Sequence, residues 1–446
     1  MFKKILIANR GEIAVRIIRA CREMGIRTVA IYSEADRDAL HTMLADEAVC
    51  IGPAPAKESY LSMERIMSAI VTMGADAVHP GFGFLSENSK FAQMCQRCGI
   101  HFIGPTPEVM DLMGNKAQAR NTMIQAGVPV VPGSQEIIRD AEKAGMLAEE
   151  IGYPVMIKAA LGGGGRGMRI AYSAEEIQEQ FQTAQREALQ GFSDDGMYIE
   201  KYIQEPRHIE FQIMADAYGN VVHLGERDCS VQRRHQKMVE ESPSPALTPQ
   251  VRKKMGETAV AAAKAAGYQG AGTIEFLVDK DRNYYFIEMN TRIQVEHPVT
   301  EMVTGLDLIK EQIRLAAGEQ LSFCQEDIHN QGHAIECRIN AENPDKDFRP
   351  CPGLIKSCHF PGGCGVRVDT AVYAGYRIPP NYDSMIVKII VHGRDRAEAL
   401  QKMDAALWEL SIDGVVTNQE YLMEIIEHPV FAAGEHDTGF IEKFLQ

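Results

Sequence analysis

From Lys4 to His79 short β-rich runs alternate with stretches whose apolar residues recur every three to four positions. Lys4 to Ala8 predicts a strand, Glu12 to Met24 a helix, Thr28 to Tyr32 a strand, Leu61 to Met73 a helix and Asp76 to His79 a further strand. That order predicts a doubly wound α/β lobe. From Gly114 the pattern changes. A helix over Asn115 to Ala126 leads into a small unit: the apolar run Tyr153 to Lys158, a glycine loop, a polar helix from Ala174 to Ala188, and Met197 to Ile203. It reads as a lid. A larger α+β segment follows, with strands at His208 to Met214, Gly272 to Val278 and Tyr284 to Met289 and an Ala-rich helix from Pro249 to Ala266. After Gln331 the pattern turns strand-rich again, with Pro and Gly punctuating Arg349 to Gly365 and a helix from Arg396 to Leu410. The expected organisation is α/β and α+β, divided into residues 1–114, residues 115–330 with a lid at 130–203, and residues 331–446.

Composition narrows the classes. At 446 residues, 45% of them hydrophobic, the chain is too long for one compact core and too apolar for disorder. Its net charge of −15 would repel a polyanion, which argues against nucleic acid or an anionic membrane as a partner. No stretch approaches the ~18 apolar residues of a spanning helix, and the run Ile5 to Ala8 is too short for a secretory signal. The ten cysteines are scattered, with only Cys95 and Cys98 in a CxxC and no second pair to complete a zinc set. Reduced thiols in a cytoplasmic protein are the expectation.

Several segments bear on chemistry. The first strand-to-helix turn reads Asn9-Arg10-Gly11-Glu12-Ile13-Ala14 instead of G-x-G-x-x-G, so a dinucleotide-dependent dehydrogenase loses most of its support. Gly162-Gly163-Gly164-Gly165-Arg166-Gly167 bares backbone N–H groups to an anion at an entropic cost of ~1 kcal/mol per glycine relative to Ala. No Gly-Lys-Ser/Thr follows it, so it is a flap rather than a Walker A loop; a plain mobile hairpin is the competing reading, and Lys158 beside it favours phosphate. Met197 to Ile203 could offer backbone groups, with Glu200 or Lys201, to a purine edge, although an ordinary half-buried strand has the same pattern.

The strongest signal is the hairpin Gly272 to Asn290. A period of two puts Glu288 and Asn290 on one face, with Glu275 able to meet them across the pair. A hard divalent cation takes oxygen ligands and would relieve that like-charge repulsion. If the extended conformation persists, Arg292, Gln294 and Glu296 follow on the same side and offer a cation, an amide and a base to a small oxyanion; a surface ion pair of Arg292 with Glu296 is the alternative. The basic cluster Arg233-Arg234-His235-Gln236-Lys237 suits a phosphate or carbonate better than nucleic acid. His79 lies at a strand end where α/β ligand sites form, and a packed loop histidine is equally compatible.

These residues also carry a family resemblance. Lys158 with its glycine loop, Glu200-Lys201, and Glu275 with Glu288-Met289-Asn290-Thr291-Arg292 resemble the ATP-grasp superfamily. Ile7-Ala8-Asn9-Arg10-Gly11-Glu12-Ile13-Ala14, His79-Pro80-Gly81, Phe84-Leu85-Ser86-Glu87-Asn88 and Arg292-Ile293-Gln294-Val295-Glu296-His297 resemble the biotin carboxylases, and the similarity runs from Met1 to the C-terminus. The resemblance implies an ATP-grasp fold with an N-terminal preATP-grasp (Rossmann-like) domain, a glycine-rich lid and a C-terminal biotin carboxylase domain. It implies ATP with Mg2+ or Mn2+, bicarbonate, and biotin as a carrier-bound substrate.

Residue by residue, the resemblance makes Lys116, Lys158, Gly164, Gly165, Glu200, Lys201, Ile203, His208, Gln232, His235 and Leu277 nucleotide contacts, with Glu275, Glu288 and Asn290 around the metal. Lys237, Arg292, Gln294, Val295 and Glu296 match the bicarbonate site, with Glu296 as base, and Arg338 matches the arginine that steadies the biotin enolate; Glu296, Arg338, Lys237 and Arg292 are the implied catalytic set. A surface pairing of Arg338 with Glu336 or Glu342 is the plain alternative. Phe82 stands where the family has Tyr, which keeps stacking against biotin and removes the hydroxyl. The chain lacks a Met-Lys-Met biotinylation motif. It therefore resembles the free-standing subunit of acetyl-CoA carboxylase, a homodimer that works with a biotin carboxyl carrier protein and carboxyltransferase subunits and feeds malonyl-CoA and fatty acid synthesis. Subunits of other acyl-CoA or pyruvate carboxylases look alike in this half. An ATP-grasp ligase joining a carboxylate to an amine, and a silent nucleotide-binding regulatory subunit, are the rivals.

Overall fold

A computed structural model describes residues 1–134, 136–160, 167–192 and 194–445. The glycine run expected to form the flap, Gly164 and Gly165 included, lies outside the described residues except for Gly167.

The apolar run Lys4–Ile7 is the central strand of a five-stranded parallel sheet, ordered Glu47–Gly52, Arg27–Ser33, Lys4–Ile7, Ala77–His79 and His101–Phe102. Both faces are covered, which is why the run shows no alternation: Ile5 and Ile7 pack with Ile13, Ile17 and Leu308, while Leu6 packs with Ile66 and Ile70 on the other side. The helix Gly11–Glu23 leaves directly from the strand end, so the Asn9–Arg10 turn opens at the carboxyl edge of the sheet, where α/β ligand sites form. This is the α/β lobe that the alternation predicts.

The rest of the molecule is organised by one eight-stranded antiparallel sheet. Its order is Tyr284–Asn290, Gly270–Val278, Arg207–Ala215, Val221–Arg233, Gln236–Ser242, His333–Asn340, Met385–Gly393 and Val366–Thr370. The sheet crosses residue 330 without a break, because Gln236–Ser242 pairs with His333–Asn340. Ala259, Ala262 and Ala263 of the helix Pro249–Ala265 pack against Phe211 and Phe276 of the sheet in a single core. Thr248 starts this helix by accepting a hydrogen bond from the Val251 N–H, ahead of a proline in the first turn. The lid is a separate three-stranded sheet of Met168–Ala171, Val155–Ala159 and Met197–Lys201. The helices Ala141–Ile151 and Ala174–Phe192 back it, and Val155, Ile157, Ile199 and Phe181 give it a core of its own.

The strands Val221–Arg233 and Gln236–Ser242 were not legible in the sequence. Both are covered on both faces yet carry Glu226, Arg227, Asp228, Glu240 and Glu241 in the interior, so neither an apolar run nor a polar-out alternation marks them. The basic cluster is their hairpin connection, where Arg234 and His235 take positive φ of 49° and 65°. It does not act as one patch: Arg233 and Arg234 pair with Asp347, while Lys237 turns inward.

Two bulges decide which side chains share a face. Lys237 pairs with Gln232 and Val239 with Val231, so the extra residue Met238 turns Lys237 to the face of Glu240. On the other hairpin Glu288 lies opposite Glu275 and Phe286 opposite Phe276, so the extra residue Ile287 sends Glu288 to the cleft and Phe286 to the core. Among the described residues no helix is long and apolar enough to cross a membrane.

Candidate active site

The carboxyl edge of the parallel sheet, one face of the antiparallel sheet and the lid enclose a cleft of about 1220 Å³. A site for one small ligand occupies roughly 300–1,000 Å³, so there is room for a nucleotide and a second substrate. Its floor is a layer of buried charge. Arg227, fully buried, donates to Glu210 (2.5 Å), Gln212 (2.7 Å), Thr300 (3.0 Å) and Thr273 (3.1 Å). Every arm of the guanidinium is thus satisfied, which makes a buried cation tolerable. Above it the Lys237 ammonium lies 2.7 Å from Glu210, 2.7 Å from Glu296 and 3.2 Å from Glu275. Glu296 also accepts from Arg338 Nη2 at 2.8 Å, so its carboxylate is held between two cations. Burial opposes that charge, but Lys237, then Arg338 and Arg227, outweigh it and hold the Glu296 carboxyl well below the usual range.

Glu275 accepts from His208 Nε2 (2.8 Å) and from Asn290 Nδ2 (2.7 Å). Burial opposes its charge, but Lys237 and His208 hold its carboxyl below the usual range, and Glu275 in turn outweighs burial to hold His208 up. Across the strand pair Glu288 behaves in the opposite way. The enclosing cleft walls, and then the facing Glu275, push its carboxyl up although the side chain still meets solvent. Two carboxylates of one sheet face, one of them strained toward protonation, fit a divalent cation: bound oxygen-to-metal, it would remove the repulsion that raises Glu288. Glu275, Glu288 and Asn290 are the residues placed to hold it.

The segment after Asn290 departs from expectation. The strand ends there and the chain bends at Arg292 and turns at Val295–Glu296 into the helix His297–Thr304, so Arg292, Gln294 and Glu296 do not continue an extended alternation. Pro298 in the first helical turn and the His297 ring, whose Nδ1 lies 2.8 Å from the Gln294 carbonyl, set that turn. Side-chain contacts gather the three residues nonetheless: Arg292 Nη1 donates to Gln294 Oε1 at 2.9 Å, Gln294 Nε2 lies 3.4 Å from Glu275, and Lys237 bridges Glu275 to Glu296. Arg292 pairs with Glu87 rather than with Glu296, and Arg338 pairs with buried Glu240 and Glu296 rather than with Glu336 or Glu342 at a surface.

On the lid, Lys158 Nζ meets Glu200 at 2.5 Å, and Lys201 donates to the carbonyls of Gly152 (2.8 Å) and Tyr153 (2.9 Å). Lys158, Glu200, Lys201, Ile203, Gln232, His235 and Leu277 line the cleft, as do Phe82, Val295 and Arg338. Lys116 does not line it; exposed at the start of the helix Lys116–Gln125, it reaches Glu288 only through its charge. His79, the last residue of the strand Ala77–His79, is a packed histidine. It is fully buried, burial holds its pKa down to about 3, and its Nδ1 accepts from the Gly81 N–H at 3.1 Å. Sequence reasoning missed Glu210, Arg227 and Glu240. For Glu210 the signal was present, since His208, Glu210 and Gln212 alternate with Ile209, Phe211 and Ile213.

A sheet face of buried carboxylates beneath a small lid carrying a Lys–Glu pair is the architecture of the ATP-grasp ligases. Family models match almost the whole chain: "Biotin carboxylase, N-terminal domain" at residues 1–110, "Carbamoyl-phosphate synthase L chain, ATP binding domain" at 115–324, and "Biotin carboxylase C-terminal domain" at 336–443. Biotin carboxylase 1 of Bacillus subtilis is 59% identical over 445 residues, covering 100% of this chain and 99% of the relative. The biotin carboxylase domain dimer of Hydrogenobacter thermophilus 2-oxoglutarate carboxylase, solved with MgADP, ADP and bicarbonate, superposes with a TM-score of 0.91 at 52% identity, covering 99% of this chain and 98% of that one. Biotin carboxylase of Campylobacter jejuni, solved as a β-γ-ATP complex, gives 0.93 at 50% identity, with 99% of each chain covered. The chain belongs to the biotin carboxylase family. It is thereby an ATP-dependent ligase that carboxylates biotin with bicarbonate.

Proposed function

We propose that Glu296 is the base of this reaction, acting on bicarbonate seated between Lys237, Arg292, Gln294 and Val295. The observation that carries the reading is the Glu296 carboxylate held between Lys237 and Arg338 at 2.7 and 2.8 Å, a base and two cations at one point of the cleft. When Lys237 turns to the substrate oxyanions, the cation that most depresses Glu296 leaves it, and the carboxylate becomes the stronger base that bicarbonate requires. The proton of bicarbonate passes to Glu296, and the carbonate oxygen attacks the γ-phosphorus as the bond to ADP breaks. The carboxyphosphate so formed splits to carbon dioxide and phosphate. Phosphate takes the N1 proton of biotin, Arg338 faces the charge that develops on the ureido oxygen, and N1 closes on carbon dioxide. Magnesium or manganese at Glu275, Glu288 and Asn290 would neutralise nucleotide phosphate charge.

Lys158, Glu200, Lys201, Ile203, His208, Gln232, His235 and Leu277 serve the nucleotide in this reading, and the resemblance assigns Lys116, Gly164 and Gly165 to it as well. Phe82 stacks on biotin. Biotin arrives on a separate carrier protein, and the chain acts in the cytoplasm as the homodimeric subunit of an acetyl-CoA carboxylase, with carboxyltransferase subunits completing malonyl-CoA for fatty acid synthesis. A 2-oxoglutarate carboxylase domain among the similar structures keeps a different acyl acceptor as the second reading. The test is ADP release with bicarbonate and biotin omitted in turn. Full turnover needs both; phosphate release that depends on an added amine would assign a carboxylate–amine ligase instead.

A further inference from the structure

Arg338 is held by two carboxylates. Its Nη2 lies 2.8 Å from Glu296 on the cleft side, and it is also ion-paired with Glu240, which is fully buried and does not line the cleft. Glu240 sits directly across from Glu336 in the pairing of Gln236–Ser242 with His333–Asn340. Both carboxyls are 0% exposed and neither finds a hydrogen-bond partner among the described residues; Glu240 differs in having the ion pair with Arg338. Lys388, opposite Arg338 on the next strand, donates to the Val295 carbonyl at 2.6 Å and pairs with Glu12 at 3.2 Å; its charge also favours ionised Glu336 but does not outweigh burial there. Two facing buried carboxyls cannot both carry charge, so the pair keeps a proton. Burial pushes both up, Glu240 only to about 7 with Arg338 restraining it and Glu336 well above the carboxylate range, which makes Glu240 the member that ionises.

The second anchor matters because of the order of events. Taking the proton of bicarbonate neutralises Glu296, and its ion pair with Arg338 weakens just before the guanidinium is needed at the biotin oxygen. We propose that Glu240 is a positioning residue for Arg338, holding its guanidinium at the reaction centre while Glu296 is protonated. This rests on the reading of Glu296 as base and Arg338 as partner of the enolate. The groups that face Glu240 are Arg338, Glu336 and the Cys337 thiol from the neighbouring strand, Lys237 from its own, Cys229 from Val221–Arg233 and Glu296 at the start of the helix His297–Thr304. Glu240 and Glu296 are the two that hold Arg338, and of these Glu240 is the one that burial pushes up toward neutrality.

The experiment compares full-length wild type, Glu240→Gln and Glu240→Asp in two assays: biotin-dependent carboxylation, and the biotin-independent, bicarbonate-dependent cleavage of ATP. Glu240→Gln should lower kcat of the first by roughly tenfold or more, leave the second and the KM for ATP within about twofold, and keep the thermal midpoint. Glu240→Asp should recover part of the loss. The ratio of the two wild-type rates should fall as pH drops through about 7, where Glu240 takes up its proton, and the ratio for Glu240→Gln should be low and flat. Should Glu240→Gln fail to fold, the drop in the same ratio for Glu240→Asp carries the test. Both rates falling together, neither falling, or an unchanged acid limb in Glu240→Gln would overturn the proposal. Wild type with no biotin-dependent turnover would overturn the reading beneath it instead.

Discussion

Glu296 and Arg338 show how a single side chain can be legible in sequence and still acquire its chemistry from neighbours that are not. In isolation Glu296 is one of 61 acidic residues. In the cleft, Lys237 and Arg338 keep it ionised to well below neutral pH, so the base form is present throughout the working range. Glu296→Ala should therefore abolish bicarbonate-dependent ATP cleavage while calorimetry still finds ATP bound, since the residues proposed to serve the nucleotide do not include Glu296. Loss of ATP affinity together with activity would make Glu296 structural. Arg338→Gln should cost biotin carboxylation about a hundredfold, on the scale of one lost oxyanion donor, with slow biotin-independent ATP cleavage persisting. The variant should still fold. Glu240, which Arg338 restrains at about 7, would rise further and protonate rather than remain a stranded charge. Equal loss of both rates would instead place Arg338 in phosphoryl transfer.

At the scale of elements, one extra residue in a strand decides which face a functional group occupies. The sequence placed the hairpin Gly272 to Asn290 and the pairing of Glu275 with Glu288 and Asn290, because period two is a local property of extended chain. It did not show the bulge at Ile287, which puts Glu288 in the cleft while Phe286 stays in the core. Glu288→Gln keeps the shape and removes the charge. The magnesium concentration needed for half-maximal nucleotide binding and for turnover should rise, with turnover down by roughly one to three orders of magnitude. A wild-type rate at limiting magnesium would remove Glu288 from the metal site. The hairpin at Arg234 and His235 was illegible for a related reason. Its strands bury ion pairs, so burial does not coincide with apolarity and the hydropathy pattern carries no trace of them.

Across the whole molecule the continuous antiparallel sheet joins the segment before residue 330 to the one after it, and a buried ionic knot reinforces the joint. Glu241 lies 2.6 Å from His333 Nε2 and accepts from Arg396 Nε at 2.7 Å. Burial alone would raise the Glu241 carboxyl; the hydrogen bond from His333, then Arg396, hold it down from 4.5 to about 2. A depressed carboxyl contributes stability that is complete above its unfolded value and is lost as pH falls toward the folded one. For Glu241 the window is pH 4.5 to about 2, worth roughly 3 kcal/mol. Urea unfolding of wild type should lose stability across that window, and Glu241→Gln should start lower and show a shallower slope. Equal slopes would place the acid lability elsewhere.

Local patterning alone determined the α/β alternation, the lid unit, the helix Pro249–Ala265, the Glu275–Glu288 hairpin and, through long ordered motifs, the family. Those features depend on neighbours within a few residues, and the chain writes them directly. Tertiary structure decided what depends on residues far apart. It brought Lys237, Glu296 and Arg338 together from three elements, turned Arg292 to Ile293 out of the extended strand, and buried Glu210, Arg227 and Glu240 under the site. A charged residue is stable in an interior only beside its counter-charge, and the partner that makes it so is chosen by the fold and by bulges that shift the register, neither of which the one-dimensional pattern carries.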